Sequence, residues 1–484
     1  FRLAPMSPQA ETLAALEAGT LEKPVKALDL KGLGLRSIPA QVFLHADTLE
    51  KLDISKNPID SLPDQFASLT KLRIFFALGC EFTHVPIVLG SMPSLFMLSF
   101  KSNKLVHIPE GGLSPSIGWL ILTDNLLQTL PKSIGKLTGL RKCMLSGNQL
   151  KALPDEMRWC QELELLRISS NQLAALPAWL TQLPKLAWLA TAANPSSAPP
   201  PATAIETVEY DDLTTYELLG EGTSGVTHRG EWRRTPVAVK FFKSAATSDG
   251  SPLDEMRVNM LLGHHPNIVG TLGRVANAPG QAEALVLQLI PQHYTVLGNP
   301  PSMATVTRDT YPEGTTFSLR ATFSISRDIA AALRHLHSKG IAHGDVYAHN
   351  ILFSQKETHA ILTDFGAGFF YSHASNHGKT YEALEVRAYG CLLEELIERT
   401  EVTARGSPLY GVLSALQQRC VSESVDLRPT FITITEQLQT AVHLLDAYEC
   451  PSLSMRRLGL WSVLVLGAWV MLGSLRKNSP RKGL

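Results

Sequence analysis

A glycine array and a nearby lysine in the second half of the chain could together bind phosphate. Residues 216–232 read YELLGEGTSGVTHRGEW, and their GxGxxG spacing comes from Gly220, Gly222 and Gly225. Alone this array fits a turn or a Rossmann loop, but Rossmann glycines lead into a helix, whereas here residues 236–242 predict a second strand. That strand carries VAVK ending at Lys240, and a lysine closing an apolar strand beside a glycine loop can bind phosphate oxygens.

Two further motifs follow in the chain. Residues 341–352 read IAHGDVYAHNIL, with HxDxxxxN spacing at His343, Asp345 and Asn350; the later segment ILTDFG contains Asp364. With the glycine array and the VAVK strand, these motifs resemble in order those of the protein kinase family, and the resemblance covers residues 212 to about 445. It implies a bilobal α+β domain that transfers the γ-phosphate of ATP to a protein hydroxyl.

The resemblance implies which residues bind the nucleotide. The three glycines, Gly220, Gly222 and Gly225, would let backbone N–H groups approach the phosphates. Lys240 would hold the α/β oxygens, and Glu255 in the helix-like segment DEMRVNMLLGHHPNIV would pair with this lysine. The segment LVLQLI would be the hinge between the lobes, with Leu287 as gatekeeper and with backbone groups, at Gln288 and Ile290, that meet adenine.

The resemblance also implies the catalytic and metal-binding residues, for which ATP and Mg²⁺ are the cofactors. Asp345 would accept or orient the proton of the acceptor hydroxyl, so Asp345, Lys240 and Asn350 form the predicted catalytic set. Asn350 and Asp364 would offer the hard oxygen ligands that Mg²⁺ takes alongside a nucleotide. His343 is predicted to be a buried residue that braces residues 343–350, the segment called the catalytic loop below.

Three residues of the catalytic loop depart from the family pattern. Gly344 replaces the arginine that normally precedes the catalytic aspartate, so control by a phosphorylated activation loop is not expected. Tyr347 stands where Ser/Thr kinases have a lysine, and His349 stands where many tyrosine kinases have an arginine. The motif therefore specifies neither acceptor class, and Ser/Thr is our default.

The segments around the expected peptide-binding region also depart from the family. No APE motif appears, and Glu385, which stands in place of a structural aspartate, follows Asp364 by only 21 residues. This predicts a shortened activation segment. Arg428 resembles the arginine of the family's C-terminal lobe and is predicted to pair with Glu385. Residues 291–317 form a Pro-, Thr- and Gly-containing insertion that predicts a mobile loop at the rim of the cleft.

The first half of the chain consists of repeats. Leucine-family positions begin units every 22–24 residues from Val25 to Leu186, with Asn or Cys eight positions into most units and Pro fourteen positions in. This matches the LxxLxLxx(N/C)xL pattern of leucine-rich repeats and predicts an α/β solenoid over residues 25–195. The buried Asn should satisfy neighbouring backbone groups. Ser7, Pro8 and Gly19 predict an N-terminal cap helix within residues 1–24.

Side chains that alternate outward from the repeat strands should form a concave face. The apolar members are Ile74, Phe76, Leu78, Met97, Trp119, Ile121, Met144, Leu165 and Trp188. They are interrupted by Lys51, Asp53, Lys101, Lys142 and Arg167. A contiguous apolar stripe predicts a protein or peptide ligand, although isolated exposed residues or an irregular third repeat are alternatives. The partner could equally be this protein's own second domain.

Composition limits the remaining possibilities. The chain has 484 residues, with 44 Lys+Arg against 44 Asp+Glu, and a 44% hydrophobic fraction. These values exclude a wholly disordered chain and argue against non-specific binding of nucleic acid. The Pro/Ala-rich stretch NPSSAPPPATA predicts a linker over residues 196–211 between the repeats and a kinase domain at 212–447. The fold class is thus a multidomain chain of two unlike domains.

The two ends of the chain and its cysteines predict where in the cell the protein is found. The six cysteines are scattered singly, and the start at Phe1 lacks the features of a signal peptide, so we expect a processed or incomplete start and an intracellular, cytoplasmic protein with reduced thiols. Residues 458–475 are uncharged and largely apolar, with basic residues on both sides. They predict a transmembrane tail anchor, with a buried C-terminal helix as the alternative.

Three functions are compatible with the sequence. The first is an ATP-dependent protein kinase whose repeats recruit a substrate or regulator, because the set Lys240, Glu255, Asp345, Asn350 and Asp364 is complete. The second is an ATP-binding pseudokinase scaffold, motivated by Gly344, Tyr347 and the short activation segment. The third is an adaptor that binds no nucleotide.

Overall fold

The computed structural model describes residues 7–197, 205–222, 224–243, 250–374 and 378–449. Within these ranges no helix has the length and apolar character needed to cross a membrane. The predicted anchor at 458–475 lies outside the described residues and stays a prediction. Among the described cysteines, Cys80, Cys143, Cys160, Cys391 and Cys420 are buried and free, which agrees with reduced thiols.

The repeat region is a sheet of eight short parallel strands in chain order. Their bounds are β1 (Ala27–Asp29), β2 (Lys51–Asp53), β3 (Ile74–Phe76), β4 (Met97–Ser99), β5 (Trp119–Ile121), β6 (Lys142–Met144), β7 (Leu165–Arg167) and β8 (Trp188–Ala190). Helix α1 (Pro8–Glu17) precedes them, and its N-cap is Ser7, whose Oγ accepts a hydrogen bond from the Ala10 N–H. One strand is contributed by each unit, so the period seen in the sequence is the period of the sheet.

Buried asparagines hold neighbouring repeats together, as the pattern predicts. Asn171 donates from Nδ2 to the Leu145 and Ile168 carbonyls, and its Oδ1 accepts from the Leu150 N–H. The other repeat asparagines make the same kind of contacts, and Cys80 replaces one of them with an Sγ that faces the Ile54 carbonyl. These bonds satisfy buried backbone groups. Each of these groups would destabilise the fold by about 1–3 kcal/mol if it were left without a partner.

The strand register places the predicted concave residues in two rows. One row runs through Lys51, Ile74, Met97, Trp119, Lys142, Leu165 and Trp188; the other runs through Asp53, Phe76, Ser99, Ile121, Met144, Arg167 and Ala190. The row residues of β2, β3, β5 and β6 are partly exposed and those of β4 are buried, and Leu165, Arg167 and Trp188 on β7 and β8 are buried as well. The second domain covers β7 and β8, which accounts for the burial of Arg167 and Trp188.

The second domain begins with a six-stranded sheet in the order β10-β11-β12-β14-β13-β9. Its elements are β9 (Thr207–Glu209), β10 (Leu213–Glu221), β11 (Gly225–Trp232), β12 (Thr235–Phe242), helix α2 (Pro252–Leu262), β13 (Thr271–Ala276) and β14 (Ala284–Gln288). Strands β10 to β14 pair antiparallel, and β9 pairs with β13 in parallel. The end of the predicted linker therefore lies in this sheet.

A mostly helical lobe follows. Its elements are β15 (Thr295–Val296), α3 (Leu319–Ser338), β16 (Ile341–Ala342), β17 (Ile351–Ser354), β18 (His359–Leu362), β19 (Phe369–Phe370), α4 (Gly378–Glu398), α5 (Pro408–Cys420) and α6 (Phe431–Glu449). Helix α3 begins after Ser318, whose Oγ accepts from the Ala321 N–H, and it lies in the centre of the lobe's apolar core. The catalytic loop joins β16 to β17.

The insertion at residues 291–317 is packed against the rest of the protein rather than extended from the rim of the cleft. Asn299 and Thr310 exchange two backbone hydrogen bonds, which close it into a hairpin-like turn. Thr307 and Asp309 are buried, and Tyr311 donates to the Glu395 carboxylate on α4. The prediction of a mobile loop was wrong because polar residues within the insertion pack against both α4 and the repeats.

Candidate active site

A cleft of about 920 Å³ lies between the sheet and the helical lobe. The predicted nucleotide-binding residues that line it are Gly220, Gly222, Gly225, Lys240, Glu255, Gln288, Ile290 and Asp364, together with the predicted gatekeeper Leu287. The sheet therefore positions the glycine array and Lys240 on one side of the cleft. The catalytic-loop residues Asp345 and Asn350 lie beside this lining rather than within it.

The glycine array turns between β10 and β11. Gly222 donates its N–H to the Gly225 carbonyl, which closes the turn at 2.9 Å. A Cβ on Gly225 would lie 2.4 Å from the Phe241 carbonyl oxygen, so only glycine fits beside β12. A Cβ on Gly220 or Gly222 would meet no atom within 4 Å, which leaves their backbone open to the cleft.

Lys240 and Glu255 form an ion pair at the back of the cleft. Lys240 Nζ donates to Glu255 Oε1, and the Glu255 side chain is only 2% exposed. Burial raises the pKa of Glu255, with a further contribution from the nearby Asp364 carboxylate, whereas Lys240 acts in the opposite direction. Helix α2 begins at Pro252, directly after its N-cap Ser251, and this start places Glu255 in its first turn. The pair predicted from the sequence is thus present.

The catalytic loop holds Asp345 through three local contacts. Asn350 Nδ2 donates to the Asp345 carbonyl at 2.9 Å and to Asp345 Oδ2 at 3.0 Å. The Asp345 N–H donates to Nδ1 of the fully buried His343. That Nδ1 must therefore be unprotonated, so Nε2 carries the proton that is donated to the Thr363 carbonyl at 3.0 Å. His343 braces the loop, as predicted.

Asp364 and Asn350 fit a magnesium site that is completed by nucleotide oxygens. Asp364 is exposed to the cleft, and the Thr363 N–H beside it donates to the Asn350 carbonyl at 2.9 Å. Because Asn350 uses Nδ2 on Asp345, its Oδ1 remains as the oxygen for a metal ion. The described residues contain no cluster of three or more metal-binding side chains, and Mg²⁺ needs only one or two such ligands beside phosphates.

Comparison with known proteins agrees with this geometry. The family model described as "Protein tyrosine and serine/threonine kinase" matches residues 213–387, and the Leucine Rich Repeat model matches residues 48–69. The chain joins leucine-rich repeats to a protein kinase domain. The kinase match includes the glycine array, Lys240, the catalytic loop and Asp364.

Each individual relative aligns with only part of this chain. Non-receptor tyrosine-protein kinase TNK1 of Homo sapiens is 28% identical over 234 residues, 42% of this chain and 33% of the relative. Probable serine/threonine-protein kinase gdt2 of Dictyostelium discoideum is 20% identical over 50% of this chain and 16% of the relative. Serine/threonine-protein kinase TNNI3K of Homo sapiens is 24% identical over 37% of this chain and 21% of the relative. The chain thus spans a third or less of each, and the relatives include both acceptor classes.

Helix α4 of the kinase domain supports the catalytic loop through Glu385. Its Oε1 accepts from the Gly344 N–H, and its Oε2 lies 2.7 Å from His337 Nε2. The predicted pairing of Glu385 with Arg428 was wrong, since Arg428 instead donates to the Ser422, Ala383 and Pro184 carbonyls. Glu385 already has two partners, and Arg428 serves to join backbone segments.

The sequence missed two contacts of the catalytic loop. His349 Nδ1 faces the carboxylate of Asp309, which comes from the insertion, at 2.8 Å. Arg167, which comes from the repeats, pairs with Asp345 Oδ1. Burial alone would raise the pKa of Asp345, but Arg167, with His349, holds that pKa below its ordinary value. Arg167 was predicted only to lie on the concave face.

Proposed function

We propose that this chain is an ATP- and Mg²⁺-dependent protein kinase, with Ser/Thr acceptors as the default and with the repeats as a protein-contacting module. The observation that carries the proposal is the buried Lys240–Glu255 pair in a cleft that Asp364 also lines. A phosphate-binding lysine held by a carboxylate, beside an oxygen donor for a metal, suits the charge of a triphosphate.

Each site residue has a role in this proposal. The backbone around Gly220, Gly222 and Gly225 approaches the phosphates, and the backbone at Gln288 and Ile290 meets adenine. Asn350 and Asp364 would hold Mg²⁺, which would neutralise charge on the phosphates. Asp345 orients the acceptor hydroxyl and takes its proton.

The domain limits belong to the same proposal. We assign residues 25–195 to a leucine-rich-repeat solenoid capped by residues 1–24, and residues 212–447 to the kinase domain. The parallel order of β1 to β8 supports the repeat limits, whereas the elements of the second domain extend slightly beyond the assigned limits, from β9, which begins at Thr207, to α6, which ends at Glu449. The tail at 458–475 remains a predicted anchor.

Replacing Lys240 with methionine tests the proposal in the full chain. Wild type should show a rise in melting temperature with Mg·ATP and should transfer labelled γ-phosphate to itself or to dephosphorylated casein. Lys240→Met should lower that transfer by about 10²–10³-fold, the usual cost of removing one preorganised charge-stabilising group. Lys356→Met, at an exposed lysine of the same domain, is the control.

A pseudokinase scaffold is the second candidate, and the Arg167–Asp345 pair favours it because the catalytic carboxylate is already occupied. A pseudokinase should show the rise in melting temperature with Mg·ATP but no transfer of labelled phosphate. This should hold for wild type and for every variant in which Arg167 no longer pairs with Asp345. No shift at all would exclude both candidates.

A further inference from the structure

The last two repeat strands lie directly against the catalytic loop. Arg167 of β7 donates from Nη1 to the Gly344 carbonyl at 2.9 Å, and its Nη2 pairs with Asp345 Oδ1. The Arg167 side chain is only 3% exposed. A guanidinium that is this buried and paired with a carboxylate is a specific contact, because an unpaired charge there would be costly.

Trp188 of β8 forms the second contact with the loop. Its ring stacks on that of Tyr347 with centroids 4.4 Å apart and planes 4° apart, and its Nε1 donates to the Val346 carbonyl at 3.0 Å. Trp188 is 1% exposed. A stacked, hydrogen-bonded and fully buried tryptophan is the type of residue that dominates protein interfaces.

The contact continues on both sides of the loop. Glu164 of the repeats accepts from Thr307 and Arg308 of the insertion. Arg387 on α4 donates to the Lys185 carbonyl at 3.1 Å. Phe369 of the activation segment is buried in the same apolar core as the repeat leucines. The interface therefore includes the catalytic loop, the insertion and the activation segment.

Two departures from the kinase pattern lie at this interface. A Cβ on Gly344 would lie 2.5 Å from the Leu189 carbonyl oxygen of β8 and 2.6 Å from the Ala367 carbonyl oxygen of the second domain, so the docked repeats are one of two obstacles to the family's arginine. Tyr347, where Ser/Thr kinases have a lysine, is the ring on which Trp188 stacks. Both departures are thus compatible with the docked repeats and do not require a loss of nucleotide chemistry.

The docked repeats cover the side of the active site where the protein acceptor would bind, and they leave the nucleotide cleft open. Asp345 Oδ1 is taken by Arg167 and Oδ2 by Asn350. An acceptor hydroxyl would have to come within about 2.6–3.2 Å of this carboxylate, where the Arg167 guanidinium lies. In contrast, all of the residues that line the nucleotide cleft belong to the second domain.

We propose that the concave face at β7 and β8 is a docking surface for this chain's own catalytic loop, and that it competes with the protein acceptor for Asp345. Nucleotide binds in the docked state, and transfer requires the repeats to leave the loop. This inference rests on the proposed kinase function. It identifies the occupant of the C-terminal concave face as the second domain of the same chain.

Arg167→Gln and Trp188→Ala in the full chain test the proposal, with Lys51→Ala on β2 as the control that removes a concave charge far from the loop. Three quantities are measured: transfer of labelled phosphate to dephosphorylated casein, hydrogen exchange of the catalytic-loop amides, and Mg·ATP affinity. Truncating one partner of a buried charge pair shifts such equilibria by more than tenfold. We therefore expect at least about tenfold faster transfer and faster amide exchange in both variants, with Mg·ATP affinity unchanged. Lys51→Ala should match wild type.

Other outcomes would overturn the proposal in distinguishable ways. Faster exchange with unchanged transfer would show that docking does not restrict the acceptor, while the kinase function stands. Lower transfer in Arg167→Gln would make Arg167 a positioning residue that assists the reaction. Unchanged exchange in both variants would show that these residues do not hold the loop. Absence of transfer in wild type and in both variants, despite faster exchange, would refute the kinase function itself.

Discussion

Asp345→Asn is expected to lower phosphate transfer by about 10²–10⁴-fold, the contribution of a positioned general base. Asparagine has the same size but no charge, so the loop should keep its shape while its contact with the buried Arg167 guanidinium weakens. Because Asp345 does not line the nucleotide cleft, Mg·ATP should raise the melting temperature of the variant as it does for wild type. Transfer of labelled phosphate and the thermal shift are measured on the same preparation.

Asp446→Asn is the matched control for this prediction, because Asp446 is an exposed aspartate on α6. It should leave both quantities unchanged. Equal transfer by Asp345→Asn and wild type would mean that another group accepts the hydroxyl proton. Loss of the thermal shift would instead assign Asp345 to nucleotide binding.

Gly344→Arg restores the residue that the kinase family has at this position, yet it should destabilise this chain. Gly344 has φ +74°, in the left-handed region, and an added Cβ would lie 2.5 Å from the Leu189 oxygen and 2.6 Å from the Ala367 oxygen. The left-handed backbone costs about 1–2 kcal/mol for a residue with a Cβ, and overpacking adds about 1–3 kcal/mol. We expect a loss of about 2–5 kcal/mol in the free energy of unfolding in urea, or separation of the loop from the repeats.

Gly406→Arg is the control, since a Cβ at Gly406 would meet no atom within 4 Å. It should change stability little. The two consequences of Gly344→Arg differ in a measurable way, because separation of the repeats would speed hydrogen exchange of the catalytic loop and would relieve the contact with Leu189, so only part of the stability loss would remain. A variant with wild-type stability and wild-type exchange would contradict the docked arrangement.

The nucleotide side of the site could be predicted from the sequence because its geometry is encoded locally. Lys240 and the glycines lie on adjacent antiparallel strands, and Glu255 lies in the first turn of the next helix. Short connections therefore bring these residues together in any chain with the same element order. The same holds for Asp345 and Asn350, which are five residues apart.

The acceptor side could not be predicted in the same way. Arg167 and Asp345 are 178 residues apart in the chain, and their contact depends on how two domains pack. The only signals were Arg167 and Trp188 in neighbouring concave rows and two unusual residues in the catalytic loop, Gly344 and Tyr347. The sequence allowed the second domain as a partner of the concave face, but nothing in it linked Arg167 and Trp188 to Gly344 and Tyr347.

Two predictions from the sequence were wrong for related reasons. Residues 291–317 look like a mobile loop because they are rich in Pro, Thr and Gly, but Asp309 and Tyr311 find buried partners in His349 and Glu395. Arg428 was assigned to Glu385 by its resemblance to the family. The glutamate is instead used by His337 and the Gly344 N–H, so tertiary partners decided both cases.

The most direct test of the account is the transfer rate of the double variant Arg167→Gln/Asp345→Asn compared with Arg167→Gln alone. If the repeats hold an intact kinase closed by occupying Asp345, the gain produced by Arg167→Gln must depend on that carboxylate. We predict that the double variant loses the whole gain and falls below wild type, while its Mg·ATP shift persists. A double variant that keeps the raised rate would contradict the account, because the gain would then come from a group other than Asp345.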